Sequence, residues 1–142
     1  MLGSAEVVLE CKSTFNDPGA TATDGCSGDL EVGTTGSVDV NTPGVYTLTY
    51  TATDASGNSD TKTRVVRIVD TGKPTITLNG AATIEIQVGQ AFSDPGAVAV
   101  DDCAGTLDVQ VSGKVNTSVA ATYELIYSAQ DPSGNKAQVS RK

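Results

Sequence analysis

Apolar and polar side chains alternate along much of this chain. In "VYTLTYTATD" the residues Tyr46, Leu48, Tyr50 and Ala52 share one face and threonines occupy the other, which is the two-residue period of a half-buried β-strand. "TYELIYSAQD" repeats that phase with Tyr123, Leu125, Tyr127 and Ala129. Each run ends in Asp-x-Ser-Gly-Asn, a turn-forming cluster, and in the first half "TKTRVVRIV" then alternates again. The pattern predicts a β-hairpin in each half. Further strands are expected at "AEVVLE", "DLEVG" and "GSVDV", and at "PTITL", "TIEIQV", "LDVQV" and "GKVNT". No stretch reads convincingly as a helix.

The elements recur because the sequence does. "FNDPGATATDGCSGDL" begins at Phe15 and "FSDPGAVAVDDCAGTL" at Phe92. Displacing the chain by 77 positions aligns residues 15–65 with 92–142 without a gap, and 22 of the 51 pairs are identical. Such a match argues for two copies of one module. "TPGVY" resembles the corner before the sixth strand of an immunoglobulin sandwich, where a Tyr hydroxyl bonds back to the backbone. "VAATY" keeps the Tyr and loses the Pro-Gly. The expected fold is therefore all-β, two tandem immunoglobulin-like β-sandwich domains at residues 1–70 and 71–142, with seven short strands each. "DTGKP" at 70–74 forms a short, Pro-stiffened connector. "MLGS" at 1–4 reads as an expression scar, so the export signal is expected outside this fragment. "KPTITLNG" precedes only the second copy, and "VVRIVD" follows only the first. Each copy is thus expected to lack an edge strand, the second its last, unless tag residues or a neighbouring chain substitute.

Composition narrows the function. Hydrophobic residues make up 38% of the chain, low but sufficient for thin sandwich cores, and the net charge is −8. That charge argues against nucleic acid, and no apolar run approaches the ~20 residues needed for membrane insertion. The absence of His removes Ser-His and Cys-His nucleophile pairs. The paired carboxylates recur within turn sequences, where capping backbone amides is their ordinary role. An enzyme is not expected. All six aromatic residues, Phe15, Phe92, Tyr46, Tyr123, Tyr50 and Tyr127, are repeat positions in phase with the buried face. None is left over as a platform for stacking a sugar. Phe15, Phe92, Tyr46 and Tyr123 are expected to be structural.

The run "STFNDPGATATDGCSGDL", with "PGVYTLTYTATDASGN" and "DTGKPTITLNG", resembles the bacterial immunoglobulin-like repeats found in tandem arrays of surface proteins. These include the insecticidal-crystal-protein type, related to hyalin-repeat modules. The resemblance covers nearly the whole chain twice, and it is specific for fold and weak for function. It implies an extracellular or bacterial cell-surface setting. It also implies a disulfide between Cys11 and Cys26, which by loop length would contribute roughly 3 kcal/mol. Cys103, opposite Val88 where the first copy has Cys11, is then a free thiol. A straight strand through "ATATD" would place Cys26 at the opposite end from Cys11, so this bond requires the segment to fold back. The function implied is a non-catalytic structural or adhesive module, a stalk or spacer whose partners are neighbouring repeats. The alternative is a ligand-binding accessory module of a secreted enzyme or adhesin, with a cell-surface protein or polysaccharide as partner.

The acidic turns suggest one cofactor, calcium. Asp70 of the connector and Asp94, Asp131 and Asn135 of the second copy are expected at one end of a sandwich, where converging carboxylates would favour a cation. Asp101 and Asp102 lie further along and are expected to point away. Asp17, Asp54 and Asn58 would form half of a similar site. The competing reading is that all are turn caps and bind no metal.

Overall fold

A computed structural model describes residues 1–142. The chain contains no helix and divides into two compact units, Met1–Asp70 and Thr71–Lys142. Each carries six strands rather than seven.

Unit 1 is built on the predicted hairpin. β5 (Gly44–Thr53) pairs antiparallel with β6 (Ser59–Val69), Tyr46 opposite Val66 and Tyr50 opposite Lys62. β1 (Glu6–Glu10) adds parallel to β6, and β4 (Val32–Thr35) adds antiparallel to β5. The second layer is a hairpin of β2 (Ala22–Asp24) and β3 (Gly28–Leu30). The inward phase of β5 and β6 forms the core, with Leu48, Tyr50, Ala52, Val66 and Ile68 all buried. "GSVDV" is not a strand. At Gly36 the backbone takes φ +97° and an added Cβ would sit 2.2 Å from the Thr47 carbonyl oxygen. The chain leaves the sheet there, and Asp39 caps the following turn through the Asn41 amide at 2.9 Å.

Unit 2 repeats this plan with different edges. β7 (Thr75–Leu78), β8 (Ala97–Asp101) and β9 (Gly105–Leu107) form one sheet, and β10 (Gln110–Ser112), β11 (Leu125–Gln130) and β12 (Lys136–Arg141) form the other. Ala99, Leu125, Tyr127 and Ala129 are its buried apolar residues. "TIEIQV" and "GKVNT", expected as strands, are not. β11 begins four positions later in the repeat than β5, and β12 is six residues long where β6 is eleven. In unit 1 the residues Val65–Val69 hold both β1 and the start of β5 in their ladders.

The cysteines depart from expectation. Cys26 keeps a free, exposed thiol, whereas Cys11 and Cys103 are each disulfide-bonded. No Cys11–Cys26 bond forms, and Cys103 is not a free thiol. The reason is strand length. The amide of Cys11 donates to the Val69 carbonyl at 2.7 Å, beside the Gly44 end of β5. Cys26 sits in the β2–β3 turn near Asp54, whose charge acts on neighbouring Asp24, at the other end of β5. Ten residues of strand separate those ends, about 30 Å, against the roughly 4–7 Å between Cα atoms that a disulfide tolerates.

Candidate functional site

The most conspicuous chemical feature is a buried arginine in each unit. Arg64 on β6 is 0% exposed and Arg141 on β12 is 2% exposed. An unpaired buried charge would be prohibitive, and both are satisfied. Arg141 uses all five of its N–H donors. Nε donates to the Ala81 carbonyl at 3.0 Å, and Nη2 to the Asn79 and Gly96 carbonyls at 2.7 and 3.3 Å. Nη1 donates to Asp94 Oδ1 at 2.5 Å and to the Tyr127 hydroxyl at 3.0 Å. Arg64 likewise donates to the carbonyls of Leu2 and Ser4 and to Asp17. Each guanidinium also lies over a tyrosine ring, Tyr50 at 5.5 Å and Tyr127 at 5.4 Å, within cation–π range.

The carboxylates beneath are committed to this role. Asp94 accepts from the Tyr127 hydroxyl at 2.5 Å and the Gly96 amide at 3.0 Å, and Asp17 from Tyr50 at 2.6 Å and the Gly19 amide at 3.1 Å. Burial pushes both carboxyls up, but the tyrosine and glycine donors and the arginine outweigh it, and both lie below the usual carboxylate range. Burial, then the bond to the carboxylate, pushes the Tyr50 and Tyr127 hydroxyls up to about 12. Asp17 and Asp94 are thus held as anions and serve the fold. Met1–Ser4, expected to be a scar, takes part as well, since Leu2 and Ser4 occupy the repeat positions of Asn79 and Ala81. The arginines were missed in the sequence, although Arg64 and Arg141 are themselves an identical pair at the 77-residue offset.

Tyr46 and Tyr123 are half-buried corner residues, as are Phe15 and Phe92 in burial. The Tyr46 hydroxyl donates to the Thr42 carbonyl at 2.8 Å and that of Tyr123 to Val119 at 3.2 Å.

Within unit 2 the expected cation ligands are not all brought together. The carboxylate oxygens of Asp101 and Asp131 lie within 4.8 Å of one another. Asp94 is not among them. β8 carries the chain away from Asp94 and delivers Asp101 beside the β11–β12 turn that bears Asp131, whereas Asp94 stays with Arg141 at the far end of β12. Six residues of strand, about 20 Å, separate those ends. Asp101 and Asp131 are 4% and 3% exposed. Asp101 Oδ1 accepts from the Cys103 and Ala104 amides, both at 2.8 Å. Asp131 Oδ1 accepts from the Asn135 amide at 2.9 Å, and Oδ2 from the Asn135 side chain at 2.8 Å. Burial raises the Asp131 carboxyl, and the Asn135 donors outweigh it, so the net shift is downward. Asn135 therefore meets this group as a donor to Asp131. The unit 1 counterparts Asp24 and Asp54 are not buried. Asp54 and Asn58 form the same turn cap, at 2.8 Å.

The sequence profile described as "Bacterial surface protein, Ig-like domain" matches residues 1–68 and again 76–142. The chain is 34% identical to the pesticidal crystal protein Cry22Aa of Bacillus thuringiensis over 89% of its own length. It spans about a fifth of that protein, 19%. Among solved structures, the lipoprotein BT2262 of Bacteroides thetaiotaomicron aligns with a TM-score of 0.44 at 21% identity, covering 99% of this chain and 96% of that one.

Proposed function

Because this chain belongs to the family of bacterial surface protein Ig-like domains, we propose that it serves as a non-catalytic structural repeat, a stalk or spacer within a larger secreted or cell-surface protein. The observation that carries the reading is the duplicated Arg–Asp–Tyr set. Residues with the chemistry to serve a ligand, Asp17, Asp94, Tyr50 and Tyr127, are committed in both copies to holding a buried arginine. Disulfide-bonded Cys11 and Cys103 support an oxidising, extracellular compartment. Neighbouring repeats of the parent protein are then its partners.

Single-molecule stretching of the chain under reducing conditions tests this. A load-bearing repeat should unfold in two separate events, each releasing the length of about 70 residues, roughly 240 Å. Extension without force peaks would defeat the stalk reading. Saturable binding to a glycan array would instead favour the adhesive alternative.

Calcium belongs to this proposal at Asp101 and Asp131. The donor set fits a hard cation, since every candidate atom is an oxygen. Two buried carboxylates this close repel unless a cation compensates. Asp101 and Asp131 would hold the ion, which would supply charge neutralisation rather than chemistry. Melting in millimolar calcium against chelator checks it. Binding at 100 times the dissociation constant adds about 2.7 kcal/mol, and an unchanged transition would leave both residues as turn caps.

A further inference from the structure

The outward face of the four-stranded sheet in unit 1 is an uncharged lattice of hydroxyls. On β5 the residues Thr47, Thr49, Thr51 and Thr53 alternate with buried Leu48, Tyr50 and Ala52, so they project from the opposite face. Thr63 and Thr61 of β6 stand opposite Thr49 and Thr51, and Thr35 of β4 flanks Thr49 on its other side. The Thr53 hydroxyl bonds to that of Ser59 at 2.7 Å, and the other threonine hydroxyls have no partner within the protein. The chain carries 17 acidic and 9 basic residues, yet none falls at these positions. Asp60 and Lys62 take the opposite phase of β6, across from Ala52 and Tyr50. Arg67, flanked by exposed Val8 and Val45, pairs with Glu6 at 2.6 Å at one end of the face. Threonine is favoured in strands, but the hairpin does not require this lattice. Unit 2 builds its counterpart with Ile126, Ser128, Gln130, Lys136 and Gln138 at the corresponding positions.

We propose that this threonine face is where two copies of the chain meet, sheet against sheet. A hydroxyl both donates and accepts, so a face of hydroxyls is complementary to its own copy, as a two-fold contact requires. Two chains of net charge −8 repel each other, and this face lets them approach without setting carboxylate against carboxylate. The threonine methyls supply apolar packing of the kind that aligned sheets use. Ten paired residues of β5 and β6, with β4 and β1 alongside, present roughly 500 Å² at the usual strand spacing. A standard interface takes about 800 Å² from each partner, so the pairing is weak and grows with concentration.

The experiment is sedimentation equilibrium of the full chain from micromolar to millimolar concentration. It uses Cys26→Ser, which removes the exposed thiol as a source of covalent dimers. The mean mass should climb toward twice that of the monomer. Salt at about 1 M, where the Debye length is about 3 Å, should strengthen the association, because it screens the repulsion between copies. Thr49→Lys sets like charges against each other and should weaken association at least about tenfold. Thr63→Lys gives the same reading from β6 should the first variant fail to fold. Ile126→Lys, at the position in unit 2 that corresponds to Thr49, should leave association unchanged. A monomer at every concentration would overturn the proposal. So would association that weakens with salt, survives both threonine variants, or falls equally with Ile126→Lys. Retention of a monomeric chain on a neutral polysaccharide column would assign the face to a glycan and also overturn it.

Discussion

Replacing Arg64 with Met tests the central structural claim, because it removes the charge while keeping much of the side chain's length. Arg64 donates to Asp17 and to the carbonyls of Leu2 and Ser4. Hydrogen bonds to charged groups are worth about 1.5–3 kcal/mol each, so three would suggest ~4.5–9 kcal/mol. That sum is too large. The Asp17 side chain is 25% exposed, and Leu2 and Ser4 lie at the surface, so the freed acceptors regain water. Breaking a buried ion pair by removing one partner costs about 3–5 kcal/mol, and the lower end suits this hydrated geometry. For a unit of 70 residues, ~3 kcal/mol corresponds to a fall in Tm of roughly 12–24 °C. Unit 2, with its own Arg141, serves as the internal reference in the same calorimetric scan. A double-mutant cycle with Asp17→Asn should return a coupling above about 1 kcal/mol. A fall in Tm under about 4 °C would mean that the buried arginine does not hold unit 1 together.

Four further outcomes follow from the geometry. The Tyr50 and Tyr127 hydroxyls titrate higher in the fold, about 12 against 10 unfolded. Their contribution is therefore complete below pH 10 and lost as pH rises toward 12, and Tyr50→Phe should flatten that alkaline loss for unit 1 in denaturant melts. The lowered Asp17 and Asp94 carboxyls contribute above their unfolded value of 3.8 and lose that contribution as pH falls below it; stability flat from pH 5 to 2 in urea titrations would contradict this. Gly113→Ala would place a Cβ 2.2 Å from the Glu124 carbonyl oxygen at φ +103°, so strain should destabilise unit 2 by about 1–3 kcal/mol, read as a lower Tm. Finally, maleimide under native, non-reducing conditions should label Cys26 alone, and mass mapping that finds modified Cys11 or Cys103 would refute their bonding.

Local periodicity and self-similarity along the chain determined the all-β class, the β5–β6 and β11–β12 hairpins, the corner tyrosines and the repeat, because each depends only on near neighbours or on comparing the sequence with itself. What the tertiary structure decided were the pairings that depend on which strand ends meet. Cys11 and Cys26 are 15 positions apart but sit at opposite ends of a ten-residue strand, so the chain's reach forbids what its spacing allows. Asp101 rather than Asp94 approaches Asp131 because β8 carries five residues from one end of its sheet to the other. Arg64 looks like one more surface charge in "TKTRVV", yet it is fully buried by carbonyls about 60 positions away. No local pattern records acceptors so distant. Only the packed fold brings them within hydrogen-bonding range, and there a buried guanidinium becomes stable.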